Sequence, residues 1–158
     1  MYLKKQKGVA AVELALVLIP MLILCFGITE LGRALYQYNG LVKATRTGVR
    51  YLSQQSFGGA DADAIRLKGR SLTLCGFDDC GEKPPLVTGL TLAMISVCDP
   101  ASCVGTHDNV PTGDGPTDLV SVYINAGGTK FSFTSLVPWV IPDITFSPIS
   151  TTMAASTN

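Results

Sequence analysis

The sequence predicts an α+β protein in which a long N-terminal transmembrane helix continues into a small antiparallel sheet domain. The twenty residues from Val9 to Ile28 are apolar apart from Glu13, and a helix needs about 20 residues to cross a bilayer. Past Ile28, apolar residues recur at steps of three and four as far as Leu52, which is the period of a helix. Later segments alternate apolar and polar residues between Gly- and Pro-containing turns, as half-buried strands do.

These patterns divide the chain into a basic head at 1–8, a transmembrane and stalk helix at 9–55, and an α+β domain at 56–158. The helix would be about 70 Å long at 1.5 Å per residue. Pro20 is expected to kink its lower half, because proline removes one backbone hydrogen bond. The Gly58-Gly59 pair is expected to end it.

Within the third part, Asp61 is expected to cap a short second helix whose inward side chains are Ala64, Ile65 and Leu72. Four strands are then predicted, at 86–97, 119–125, 130–136 and 144–149. The second and third flank Ala126-Gly127-Gly128-Thr129, which predicts a hairpin between them. The small, polar residues from Thr151 onward predict a loose tail.

Composition and charge narrow the classes of function. Hydrophobic residues make up 47% of the 158 residues, and the net charge is zero. Residues 1–70 carry ten of the twelve basic residues and four acids, whereas residues 71–158 carry two basic residues and eight acids. No basic face with interleaved aromatic residues appears, so a nucleic-acid partner is not expected.

No catalytic constellation is evident either. The chain has one histidine, and it lacks a nucleophile elbow and a phosphate-binding glycine loop. Asp78-Asp79 is interpreted as a turn rather than as an acid–base pair. An enzymatic activity, a cofactor and a resident metal are therefore not expected.

The cysteines suggest crosslinks. Cys25 lies inside the apolar run, where it is interpreted as a small buried hydrophobic residue. The other four form two closely spaced pairs, Cys75 with Cys80 and Cys98 with Cys103. Outside the cytoplasm an even number of cysteines indicates disulfides. Three connectivities are possible, and the local turns favour 75–80 and 98–103. The alternative is a zinc site in a reducing compartment, for which His107 would be the nearby histidine.

Two loops have more than one interpretation. The acidic, Gly- and Pro-rich stretch at 107–118 is either a solvated surface loop or an oxygen-rich calcium loop, although it does not follow the EF-hand spacing. The apolar stretch at 136–142 contains the only tryptophan, Trp139. It either contacts a partner or a membrane surface, or it closes over a core.

Glu13 is the only acidic or basic residue of the apolar run. An ionised carboxylate near the middle of a membrane helix costs roughly 2.5–3.5 kcal/mol on insertion scales, which favours a functional role. Glu13 lies four residues, about one helical turn, past Val9. If the chain were cut after Gly8, the new α-amine of Val9 would be a cation available to this carboxylate.

The basic head, Gly8, and Glu13 at the fifth position of the apolar helix resemble the type IV pilins. The stretch 7–53 resembles the TadE-like minor pilins (pseudopilins) of the tight-adherence (Flp) pilus, which typically have G-x-x-x-V-E-F-A-L-x-x-P, E-x-G-R and A-x-R-x-G-A-R-Y-A. The corresponding segments here are Gly8–Pro20, Glu30–Arg33 and Ala44–Leu52. Leu14 stands in place of Phe, Val49 and Leu52 stand in place of Ala, and Pro20 lies one residue later than in the pattern. Over the C-terminal half the resemblance is only general.

This resemblance implies that residues 1–8 are a leader removed between Gly8 and Val9 by a membrane prepilin peptidase. It implies a role for Glu13 in assembly, through pairing with an N-terminal amine. The implied partners are other minor pilins, the major pilin, an inner-membrane assembly platform and the lipid bilayer.

The implied location is the bacterial inner membrane with the C-terminal domain in the periplasm, or the extracellular pilus. Lys4, Lys5 and Lys7 favour a cytoplasmic N-terminus, although Arg33 on the other side weakens the charge asymmetry. Two alternatives remain: a single-pass anchored binding module that enters no filament, and a membrane-tethered zinc-binding protein.

Overall fold

A computed structural model describes residues 7–156 of the chain. Lys4, Lys5 and most of the expected leader therefore lie outside the described residues, as do the last two positions. Helix α1 runs from Lys7 to Leu52 without interruption at Pro20. Its 46 residues correspond to a length of about 69 Å. The predicted α+β architecture, with a long apolar helix leading into a small antiparallel sheet domain, is confirmed.

The two halves of α1 differ in burial. Residues 8–26 are exposed on every side. From Ala34 onward one face is buried under the rest of the protein, and from Leu41 its positions recur at steps of three and four, which follow the helical period. The buried positions are Ala34, Leu41, Ala44, Thr45, Gly48, Val49 and Leu52. The upper half of α1 thus packs one face against the hydrophobic core, and the lower half lies outside the core.

Helix α2, Ala62–Cys75, packs against the upper half of α1. The contact is close because two glycines face it. A side chain at Gly48 would meet the hydroxyl of Thr73, and a side chain at Gly69 would meet Leu52. The buried positions of α2 are small or polar: Gly69, Ser71, Thr73 and Cys75. The expected inward position of Ala64 is therefore wrong, since Ala64 is exposed. Asp61 precedes α2, but its side chain makes no capping hydrogen bond.

The sheet is formed by strands distant in sequence. A 3₁₀ turn at Leu92–Met94 is followed by strands β1 Ile95–Cys98, β2 Val110–Thr112, β3 Gly115–Thr117, β4 Leu119–Ile124, β5 Ser132–Phe133, β6 Ile144–Thr145 and β7 Ile149–Ala154. The main sheet is antiparallel, with β4 between β1 and β7. Strands β2 and β3 form a small hairpin, and β5 pairs with β6. Val120, Val122 and Ile124 of β4 are fully buried in the core that α1 covers.

The predicted hairpin between 119–125 and 130–136 is wrong. Asn125 ends β4 with a positive φ of 69°, a conformation that asparagine adopts more readily than most residues. Its side-chain oxygen accepts a hydrogen bond from the Phe131 N–H at 2.6 Å, and its amide donates to the Phe146 carbonyl at 3.1 Å. This buried amide redirects the chain away from β4, so the following residues pair with β6 instead.

The predictions for residues 86–97 and for the C-terminal tail also differ from the structure. Of the predicted strand 86–97, only residues 95–97 are paired in the sheet, as part of β1. The expected loose tail is wrong, because residues 151–154 belong to β7 and pair with β4. Strand β7 supplies the second hydrogen-bonding edge of β4, which a buried strand requires for its backbone groups.

Candidate functional site

The lower half of α1 carries the residues to which the sequence assigned chemistry. Apart from its chain neighbours and the nearby helix backbone, no described atom lies within 4 Å of where a Cβ would stand at Gly8. Val9 and Glu13 are both exposed on the helix surface. Gly8, Val9 and Glu13 are therefore all on the exposed surface of one helix, with Glu13 four residues past Val9.

Around Glu13 the helix surface is apolar on all sides. Among residues 7–156, this is the only helix long and apolar enough to cross a membrane, and none of its most apolar window is buried in the protein. Large exposed side chains cover it, including Val12, Leu16, Ile19, Leu24 and Ile28. An exposed apolar surface of this extent is typical of a helix that is surrounded by lipid or by other apolar helices.

A polar cluster forms where the apolar run ends. The Glu30 side chain is almost completely buried, with only 3% of the residue exposed. Its carboxylate accepts hydrogen bonds from the Ser135 hydroxyl, the Leu136 backbone N–H and Arg33 Nη2, each at 3.1 Å. Arg33 Nη2 also donates to the Thr134 carbonyl at 2.7 Å. These bonds tie the loop after β5 to α1.

The loop residues support the same cluster from their own side. The Ser135 N–H donates to Asp143 at 2.9 Å, and the Val137 N–H donates to the Ser135 hydroxyl at 3.1 Å. The guanidinium of Arg33 lies over the Phe133 ring, 4.7 Å from its centre. We name Glu30, Arg33 and Ser135 the junction cluster.

Electrostatics keep the junction cluster charged. Burial raises the pKa of Glu30, but the hydrogen bonds from Leu136, Ser135 and Arg33 together outweigh it, so the pKa lies below the ordinary value of 4.5. Glu30 is therefore a carboxylate at neutral pH. Sequence reasoning noted Glu30 only as part of a motif and Arg33 only there and as a charge past the apolar run. It missed their contacts because the partners lie about a hundred residues later in the chain.

The four cysteines outside α1 form two local disulfides. Cys75 is bonded to Cys80 and Cys98 to Cys103, with Cα–Cα distances of 5.8 and 5.6 Å. This is the pairing that the local turns favoured. Cys25 is free and exposed on the apolar surface of α1, so no other described part of the protein covers it.

We expect one free thiol, Cys25, when the unreduced protein is alkylated and weighed by mass spectrometry, and five after reduction. Each disulfide closes only a short loop of the chain. Each is therefore expected to stabilise the fold by about 2–3 kcal/mol in a chain-entropy treatment. Five reactive thiols without reductant, together with bound zinc, would contradict this assignment.

The second disulfide adjoins the only histidine. In the described part of the chain, Cys98, Cys103 and His107 form the one group of three potential metal-binding side chains whose donor atoms lie within 4.8 Å of one another. The disulfide, however, removes the thiolates that zinc requires. His107 is largely buried and bonds through Nε2 to Ser121 at 2.8 Å and through Nδ1 to Thr106 at 3.0 Å. The histidine thus fixes the 107–118 loop on β4.

Asp99, beside this disulfide, is fully buried and bound by Arg66 of α2. Arg66 Nε donates to Asp99 Oδ2 at 2.6 Å, and Nη2 donates to Oδ1 at 3.1 Å. The backbone N–H groups of Ala101 and Ser102 also donate to Oδ1, each at 3.0 Å. Burial raises the pKa of Asp99, but the hydrogen bonds from Arg66 and from the hydroxyl and N–H of Ser102, with the charge of Arg66, outweigh it and hold the pKa below the ordinary value of 3.8. The sequence offered no signal for this ion pair.

The other acidic candidates do not converge on a site. In the 107–118 loop, the Asp118 carboxylate accepts the Asn109 N–H at 2.9 Å. No three acids of the loop bring oxygens together as calcium would require. Asp78 pairs with Lys68 at 2.6 Å on the surface, and Asp79 accepts the N–H of Gly81 at 3.2 Å. Asp78 and Asp79 thus serve a surface ion pair and a turn.

The fold and site define a class: a protein with one apolar helix suited to single-pass anchoring and a small disulfide-crosslinked α+β domain at its far end. Residues 8–50 match the family model described as TadE-like protein. The resemblance predicted from the sequence is thereby confirmed over most of α1, and it associates the chain with the tight-adherence pilus. No curated protein and no solved structure matches the chain.

Proposed function

We propose that this protein is a minor pilin (pseudopilin) that takes part in assembling a tight-adherence pilus after a prepilin peptidase removes its first eight residues. The proposal rests on the set of features found together in the lower half of α1. It combines part of the TadE-like match with exposed residues Gly8 and Val9 and a single carboxylate on an otherwise apolar, exposed surface.

The physical reasoning concerns what this surface requires. A lone carboxylate in lipid is costly, and a cation one turn away would offset that cost. Cleavage after Gly8 would create such a cation at Val9, on the same subunit or on a neighbour. In an apolar environment the ion pair is screened less than at a protein surface. Glu13 would therefore favour side-by-side packing of α1 helices from different subunits.

The domain arrangement is compatible with this role. The upper half of α1 is covered by α2 and the sheet, whereas no other element of the described chain covers residues 8–26. We propose that other minor pilins, the major pilin and the inner-membrane assembly platform contact the lower half. The two disulfides favour a periplasmic domain, because disulfides persist in oxidising compartments. The protein's role would thus be structural and not enzymatic.

N-terminal sequencing of the mature protein tests the proposal. We expect the native chain to begin at Val9 in cells with an active prepilin peptidase, and Gly8→Leu to retain the eight-residue leader. Glycine permits the close backbone approach that a protease needs, whereas a bulky side chain hinders it.

Ala10→Leu is the matched control for Gly8→Leu, because Ala10 is another small, exposed residue of the same helix. It should be cleaved as in the wild type. A native chain that begins at Met1, or Gly8→Leu cleaved as completely as Ala10→Leu, would remove the main support for a pilin. The protein would then be better described as an anchored binding module.

A further inference from the structure

The loop at 136–142 presents large apolar side chains to its surroundings. Leu136 is 74% exposed and Trp139 is 69% exposed. The loop is ordered into a tight turn, since the N–H groups of Val140 and Ile141 both donate to the Val137 carbonyl, at 2.9 and 3.1 Å. No charged residue interrupts 136–142. An ordered loop that exposes large apolar side chains indicates a contact surface.

The position of the loop along α1 identifies the contact. The Val140 side chain lies against Gly27, where an added Cβ would be 3.7 Å from its Cγ1. The junction cluster holds the start of the loop at Glu30 and Arg33. Gly27 belongs to the apolar run, and Glu30 lies two residues past its end. The loop is therefore fixed beside the last turn of the membrane-spanning segment.

A bilayer around α1 would have its boundary at this level. Residues 9–28 span about 30 Å at 1.5 Å per residue, which equals the thickness of the hydrocarbon core. A contact at Gly27 places the loop within about one helical turn of that boundary. Tryptophan is enriched there, because its ring is apolar while its indole N–H can bond to water or headgroups.

We propose that the 136–142 loop is a second membrane contact, in which Trp139 and Leu136 insert into the interface of the leaflet on the side of the globular domain. The occupant of this surface is lipid, argued from its continuity with the apolar surface of α1 and the lack of charge. A helix alone leaves the domain free to tilt and rotate. A second contact one turn from the boundary would restrict both motions.

The single tryptophan of the chain makes the test direct. The full chain is reconstituted in phosphatidylcholine vesicles, with or without lipids brominated near the headgroup end of their acyl chains. We expect Trp139 emission to lie at short wavelength, to be quenched strongly by the brominated lipid, and to be quenched weakly by acrylamide in the water.

A matched control moves the probe to a surface expected to be wet. The double variant Trp139→Phe, Val104→Trp places the indole at a position that is 72% exposed. Val104 follows the Cys98–Cys103 disulfide directly, and Asp99 within that disulfide loop is bound to Arg66 of α2. This control should show long-wavelength emission, several-fold stronger acrylamide quenching than Trp139, and little quenching by brominated lipid.

Two results would overturn the proposal. Trp139 quenched by acrylamide as strongly as Trp at position 104, without lipid quenching, would show that the loop faces water. Shielding from both quenchers that disappears at high lipid-to-protein ratio would show that a second copy covers the loop. The inference depends on anchoring through α1 and not on pilus assembly, so loss of the minor-pilin proposal would leave it standing.

Discussion

Glu13→Gln is expected to be inserted in the membrane and cleaved after Gly8, yet to support few or no pili. Glutamine keeps the shape of the side chain but removes the charge that would attract the α-amine of Val9. Glu13→Leu should insert at least as well, because it removes a polar group from lipid, and should fail in the same way. The measurement is a count of surface pili, together with co-purification of the other pilus subunits.

Glu13→Asp is the control for these variants, because it keeps the charge on a side chain one methylene shorter. It should retain more pili than either uncharged variant. Normal piliation with Glu13→Leu would show that the carboxylate does not guide assembly. If the variants were absent from the membrane, Glu13 would instead act in insertion. N-terminal sequencing of the membrane fraction distinguishes a failure of insertion from a failure of assembly.

The largest effect on stability is expected at Asp99. Asp99→Ala should destabilise the domain by about 3 kcal/mol, the lower end of the range for breaking a buried ion pair, because Arg66 keeps partial access to water. The variant also leaves the backbone N–H groups of Ala101 and Ser102 without their acceptor. The measurement is urea unfolding of the full chain in detergent micelles, followed by circular dichroism.

Asp63 provides a matched control on the same arginine. Its carboxylate also accepts from Arg66, at 2.7 Å, but its side chain is 94% exposed. Asp63→Ala should therefore cost no more than about 1 kcal/mol, as is usual for a surface ion pair. Equal losses from the two variants would contradict the assignment of the ion-pair energy to the buried Asp99.

The same ion pair predicts a dependence on pH. The pKa of Asp99 is lower in the folded protein than its ordinary value of 3.8, so the folded state binds this proton less readily than the unfolded chain. Its stabilising contribution is complete above the ordinary value and is lost as pH falls through the folded value. Glu30, whose pKa is also lowered, acts in the same direction. Asp99→Asn should therefore lose less stability than the wild type when the pH is lowered past 3.8.

The amino-acid sequence by itself determined the lower half of the protein. An apolar run of membrane-spanning length, one carboxylate and a helical period that continues to Leu52 are local properties. Each depends on residues within a few turns of one another, so the structure could only adjust the boundaries of α1. The local cysteine spacings favoured the observed disulfides for the same reason.

Tertiary structure alone decided how the domain is assembled on α1. The place of β7 beside β4, the chain reversal at Asn125 and the buried partners of Glu30 and Asp99 all join residues that are far apart in sequence. Small residues such as Gly69 and Thr73 give no apolar period, yet they lie where α1 and α2 approach too closely to admit a larger side chain at Gly48 or Gly69. Such positions are chosen by shape and hydrogen bonding, which exist only once the elements have met.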